Sequence, residues 1–189
     1  MKIEDIHTRN CLPKFLNTNS LNTIGAEVGV LRGNFSKHIL RHWRDGVLYS
    51  IDPWKRTDPM QGEKLYTEAK TKLGEFKERS IILRKTSEQA SLSFKDGSLD
   101  FCYIDASHKY HAVKLDIKLW WLKVKEGGVL CGHDYGINEK LWLQRNPKRK
   151  SWPHKETKKA VDEFIDENSV KVYIDIPNGI EPTSWYIIK

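Results

Sequence analysis

Four titratable residues stand in two short clusters, each directly after an apolar run. Asp105 and His108 follow Phe101-Cys102-Tyr103-Ile104, and His133 and Asp134 follow Val129-Leu130-Cys131. A histidine with a reference pKa near 6.5 can take a proton from a substrate hydroxyl close to neutrality, so His108 is the general-base candidate, with Asp105 beside it in the catalytic group. Two carboxylates next to an imidazole can also hold a divalent cation that makes a bound hydroxyl more acidic, and Asp105, His133 and Asp134 are the candidate ligands. The bland alternative for Asp105 is a helix cap, a common role for acids that precede helices. The chemistry needs the two apolar runs to be neighbouring strands, because only then do the four groups meet on one sheet edge.

A second constellation lies earlier in the chain. In Ala26–Ser36 an apolar run ends in Glu27, turns through Gly29 and Gly33, and continues as a helical pattern. Doubly wound sheets build a ligand crevice in this way. Gly29 falls where the backbone must turn sharply and approach a ligand, and Gly33 where the helix begins close to the strand. The next run, Leu48-Tyr49-Ser50-Ile51, ends in Asp52, and an acid there can accept both hydroxyls of a ribose. The spacing Glu-x-Gly-x-x-x-Gly differs from the Gly-x-Gly-x-x-Gly of nicotinamide dinucleotide enzymes and disfavours that class. The combined expectation is a site for an adenosine-bearing cofactor.

These residues need elements to hold them. Short β-like runs occur at Thr23–Val28, Val47–Ile51, Ser80–Leu83, Leu99–Ile104, Gly128–Gly132, Val170–Ile176 and Trp185–Ile188. Helical patterns fill the gaps. One spans Asn34–Trp43 and another Met60–Lys77; later ones carry the faces Val113, Ile117, Trp120, Trp121, Val124 and Ala160, Val161, Phe164, Ile165. Alternating strands and helices predict a parallel sheet covered on both sides. Pro177–Pro182 is too short for a crossover helix, so the last two strands should pair antiparallel at one edge. The fold class expected is α/β: one Rossmann-like three-layer α/β/α domain over 1–189, its seven-stranded sheet mostly parallel with an antiparallel last strand.

Composition narrows the function. No apolar run approaches the ~18 residues of a membrane helix. The first residues carry acids and no apolar segment, and Cys11, Cys102 and Cys131 show neither metal nor disulfide spacing, so a cytoplasmic protein with reduced thiols is expected. Between Lys140 and Lys159 eight basic residues stand against Glu156 alone, a local charge of +7 that equals the net charge of the chain. That cluster could draw an anionic acceptor or a nucleic acid, or merely solvate a loop. Most of it lies in Tyr135–Pro153, which reads as an irregular loop over the carboxyl edge of the sheet.

In combination the motifs resemble those of class I S-adenosylmethionine-dependent methyltransferases, most closely the bacterial small-molecule O-methyltransferase group. They stand here as Glu27–Ser36, Ile51–Trp54, Ile104–Tyr110, Gly127–Tyr135 and Ala160–Phe164. The resemblance implies S-adenosylmethionine as cofactor, with Glu27 and Gly29 against its methionine end, Asp52 at the ribose and Ser87 near the adenine. It implies O-methylation of a sugar, phenol or natural-product scaffold, with Met1–Asn22 as a lid or packing segment and Tyr110 and Tyr135 as candidate pocket walls. Asp105 matches the first magnesium position of catechol-type O-methyltransferases. The second site departs from that pattern, with His133 where an acid belongs. A nucleic-acid acceptor and a non-catalytic cofactor-binding domain are the alternatives. Against the first, the chain has no Asn/Asp-Pro-Pro-Tyr signature and few aromatics among the basic residues.

Overall fold

The strand-helix alternation folds into one seven-stranded sheet of order β3-β2-β1-β4-β5-β7-β6. The strands are β1 Ile24–Val28, β2 Val47–Ile51, β3 Ser80–Leu83, β4 Leu99–Ile104, β5 Val124–Gly132, β6 Val172–Ile174 and β7 Trp185–Ile188. The computed structural model describes residues 1–152, 154–176 and 181–189. Strands β1 to β5 pair in parallel, while β7 runs antiparallel to both β5 and β6. Residues 177–180 of the β6–β7 connection lie outside the described residues.

Side-chain alternation on β4 divides the core into two layers. Phe101 and Tyr103 join the cluster formed with α1 (Leu12–Thr18), α2 (Asn34–His42) and α3 (Pro59–Leu73). Cys102 and Ile104 join the cluster on the other face, formed with α5 (Tyr110–Lys123) and α7 (Lys155–Asn168). All six β4 residues are buried, as a strand covered on both faces requires. The short helices α4 (Ser87–Ser91) and α6 (Glu139–Arg145) follow β3 and β5.

Several boundaries differ from the expected ones. The Met60–Lys77 pattern ends as an α-helix at Leu73 and continues as a 3-10 turn from Gly74 to Arg79, broken at Lys77 with φ 50. Arg79 accounts for the turn: its guanidinium donates to the carbonyls of Leu40, Trp43 and Gly46 and ties this segment to the end of α2. Val124 is the first residue of β5 rather than the last of a helix face, because it pairs with Leu99 across a register shift in the β4–β5 ladder. The expected strand Val170–Ile176 keeps only Val172–Ile174 in its ladder. Tyr135–Pro153 contains α6, whose N-terminus is capped by Asn138 accepting from the Leu141 N–H, so the segment is less irregular than expected.

Strand register is what builds the functional edge. Val28 pairs with Ile51 and with Ile104, and Ile104 pairs with Gly132, so four parallel strands end level. The ladder runs one residue further through the bonds from Gly29 N to Ile51 O, Asp105 N to Val28 O and His133 N to Ile104 O. Gly29, Asp52, Asp105 and His133 therefore sit side by side at the carboxyl edge.

Candidate active site

Along β1 and β2 the site is made largely of backbone. Gly29 has φ 95, and a Cβ there would overlap the Asp105 carbonyl and Ala106. The close approach that requires glycine is thus to the β4 exit, in addition to any ligand. Gly33, with φ 73, is the N-cap of α2, and a Cβ there would press on Ala69 and Leu73 of α3 rather than on the strand.

Asp52 is buried and holds this turn. One carboxylate oxygen accepts the N–H groups of Val30 and Leu31 at 3.1 and 3.0 Å, and the other accepts that of Trp54 at 2.7 Å. Of the roughly four acceptor positions of a carboxylate, three are thereby used. Glu27 is buried beneath the turn and accepts a hydrogen bond from Ser36, whose hydroxyl accepts in turn from Ser50. Burial pushes the Glu27 carboxyl up to about 8 against the pull of Ser36. Ser87 opens α4, and its hydroxyl oxygen accepts the Trp120 indole N–H at 2.9 Å.

These groups border a cleft of about 700 Å³, within the ~300–1,000 Å³ usual for ligand sites. Glu27, Gly29, Asp52, Ser87, Asp105 and His108 all line it. Of the expected cofactor residues, only Gly33 stays behind the wall.

The β4–β5 side is built of charge. His108 precedes α5 by two residues, and its Nδ1 lies 2.9 Å from Asp134 Oδ2. That hydrogen bond raises the His108 pKa against its partial burial. Burial works to raise Asp134, but His108 and the neighbouring imidazoles outweigh it and hold the carboxyl below its usual range. Asp105 does not cap α5. Its Oδ2 meets Arg9 Nη1 at 3.5 Å, and burial together with the Asp134 charge pushes its carboxyl up to about 6. His133 is pulled down to about 4 by its own burial and is neutral at pH 7.

Asp105, His133 and Asp134 do come together, each offering a ligand atom within 4.8 Å of the others. Their chemistry does not suit magnesium, which prefers an oxygen octahedron. One donor is an imidazole nitrogen, and the two carboxylates already face Arg9 and His108.

Two residues of this side escaped the motifs. Arg9 comes from an N-terminal 3-10 turn, its guanidinium 5.0 Å from the centre of the Phe35 ring. His154, at the start of α7, packs its ring 4.2 Å from that of His108. Neither belongs to a local pattern that could have signalled it. Tyr110 and Tyr135 donate to Glu163 and Asp162 instead of lining the cleft. The basic cluster likewise stays clear of the cleft, with Lys155 paired to Glu139 and Lys158 to Asp162. No helix among the described residues is long and apolar enough to cross a membrane.

A family model described as a methyltransferase domain matches residues 26–135, from the strand before the glycine turn to the end of the fifth-strand motif. A curated relative, the uncharacterized protein y4gI of Sinorhizobium fredii, is 29% identical over 93 residues, which make up 48% of this chain and 10% of that protein. The chain therefore matches about a tenth of that relative's length. Among solved structures, the O-methyltransferase from Bacillus cereus in complex with SAH superposes with a TM-score of 0.66 at 12% identity, over 95% of this chain and 80% of that one. A putative caffeoyl-CoA O-methyltransferase from Staphylococcus aureus gives 0.69 at 15% identity, over 95% and 82%. Fibrillarin from Aeropyrum pernix, with bound S-adenosyl-L-methionine, gives 0.59 at 10% identity, over 88% and 66%. At such identities the likeness is one of fold.

Proposed function

The chain belongs to this methyltransferase domain family, and we propose that it transfers the methyl group of S-adenosylmethionine to a hydroxyl oxygen of a small molecule. The observation that carries the reading is the level ending of β1, β2, β4 and β5, which sets one cleft between the glycine turn and the His108–Asp134 pair. Glu27 and Gly29 would face the methionine end of the cofactor, Asp52 the ribose through its remaining acceptor position, and Ser87 the adenine.

A sulfonium carries an activated methyl group, so the protein has only to hold the acceptor oxygen in line and remove its proton. His108 is suited to the second task. Its Nδ1 is committed to Asp134, which fixes the tautomer and leaves Nε2 to receive the proton. Asp105, held by Arg9, lies on the same β4–β5 side as His108 and orients the acceptor beside it. The reading routes no step through a metal; the donor chemistry of Asp105, His133 and Asp134 disfavours magnesium, and the nitrogen-bearing sets Asp105–His133–Asp134 and His108–Asp134–His154 are of the kind that suits a softer divalent ion. The segment before β1 serves as packing and wall, with Ile3, Ile6, Leu12, Phe15 and Leu16 buried.

Calorimetric titration with S-adenosylhomocysteine tests the assignment. One-to-one saturable binding is expected; absence of heat at ~1 mM ligand, an affinity too weak for a cofactor site, would sink it.

A further inference from the structure

Two imidazoles converge on one buried carboxylate beside the cleft. His108 Nδ1 lies 2.9 Å from Asp134 Oδ2, and the His154 ring packs 4.2 Å from that of His108, centre to centre. His108, Asp134 and His154 each offer a ligand atom within 4.8 Å of the others. They come from three places in the fold: the turn before α5, the end of β5 and the start of α7. An ion pair with Asp134 needs only one imidazole. His154 is the N-cap residue of α7 and its side chain makes no capping bond, so local structure gives the second ring no task.

We propose that His108, Asp134 and His154 form a site for a divalent transition-metal ion of the zinc class, and that an ion seated there takes His108 out of action as a base. The site stands on its donors alone; the consequence for turnover rests on the methyltransferase reading above.

Donor chemistry selects the ion. Two imidazoles and one carboxylate, with a further position open, make up the protein ligands of a three-ligand zinc centre, and imidazole nitrogen also suits nickel, copper and iron. Magnesium and calcium ask for oxygen. An ion about 2 Å from each donor keeps the donors within about 4 Å of one another, so the three must close by roughly 1 Å. Both imidazoles are partly exposed, and rotation about their side-chain bonds supplies that movement.

Charge separates this set from Asp105–His133–Asp134, which shares Asp134 with it. Arg9 Nη1 stands 3.5 Å from Asp105 Oδ2, and a guanidinium there repels a second cation. The ion-pair partners of Asp134 among the described residues are both imidazoles, His108 at 2.9 Å and His133 at 3.5 Å. The His154 end is also fixed in advance. Glu139 of α6 accepts from the Trp152 N–H at 3.1 Å and pairs with Lys155 Nζ at 2.9 Å, and the buried Trp152 ring packs 5.5 Å from that of His154.

The effect on catalysis follows from the ring itself. A neutral imidazole has one nitrogen that carries the proton and one that accepts. With Nδ1 on the metal the proton sits on Nε2, the atom that would receive the acceptor's proton; with Nε2 on the metal that atom is occupied. In either case His108 has no lone pair left, and the ion inhibits transfer instead of taking part in it.

Calorimetric titration of zinc into the full chain, first cleared of metal by chelation and dialysis, tests the site. One-to-one saturable binding is expected, undisturbed by ~10 mM magnesium, together with the visible absorption of a low-coordinate ion when cobalt replaces zinc. Nitrogen NMR of the histidine rings should show metal-bound shifts at His108 and His154 and none at His133. His154→Gln, with circular dichroism as the check on folding, should weaken zinc binding by ~100-fold or more, above the range of a merely supporting residue, while His133→Gln should leave it unmoved. Absence of zinc binding, or metal-bound shifts at His133 in place of His154, overturns the proposal and leaves the methyltransferase reading intact. Zinc binding as described, with no binding of S-adenosylhomocysteine, upholds the site and sinks that reading.

Discussion

The two halves of the carboxyl edge are built by different means. The β1–β2 half is local: Glu27, Gly29 and Asp52 lie within 26 consecutive residues, and one carboxylate gathers three backbone N–H groups into the turn. The β4–β5 half gathers Arg9, Asp105, His108, Asp134 and His154 from across the chain, and side-chain charge holds it together. Changes in the first half should therefore act on folding and cofactor affinity. Changes in the second should act on rate and pH dependence.

The largest effect is expected where the halves touch. Gly29→Ala adds a methyl group against the Asp105 carbonyl at a residue with φ 95. Strain and overpacking together cost about 3 kcal/mol or more. The thermal midpoint should drop and S-adenosylhomocysteine binding should be lost; a variant of wild-type stability would remove the backbone account of this half.

His108→Ala should lower kcat by roughly 10²–10⁴-fold, the usual range for a general base, with cofactor affinity intact. A parallel loss of affinity would mean that the two halves are not separable.

Glu27 provides a pH test of the cofactor side. Its carboxyl, raised to about 8, is neutral at pH 7, and a cationic amine beside it favours the ionised form. Binding should thus release a proton below pH 8, and affinity should rise with pH up to that value, by at most about tenfold per unit. Calorimetry in two buffers of different ionisation enthalpy reads this directly; heats that do not depend on the buffer would contradict it.

On the other side, Asp134→Asn keeps the shape and tolerates the residue's φ of 59. It removes the charge that raises His108. Because the base must be neutral to accept a proton, the acid limb of the kcat/KM profile should move to lower pH. A limb that stays in place would argue that another group is the base. The smallest expected effect is none at all: adding a chelator should leave the rate unchanged, and restoration of a lost rate by magnesium alone would reinstate the metal.

Much of this was legible in the chain. Phe101–Ile104 and Val129–Cys131 are unbroken apolar runs because both faces of a parallel strand are covered, and that physical requirement is visible without a structure. The turn acids could be placed for the same reason, since each ends such a run. Helix ends were less legible. Nothing in Met60–Lys77 announces that Arg79 will reach three carbonyls at the end of α2, and Val124 carries the same apolar signal in a helix face as in a strand. Tyr110 and Tyr135 had aromatic character suited to a pocket, yet Glu163 and Asp162 on α7 claim their hydroxyls.

The sequence by itself determined the order of strands and helices, the glycine turn and the acids that end each strand, because apolar period, chain reversal and strand ends are properties of neighbouring residues. Only the tertiary structure decided which charges meet. Arg9 reaches Asp105 across 96 positions and His154 reaches His108 across 46, and the pKa of a group depends on burial and on partners that the strand register, not the local sequence, brings within a few ångströms.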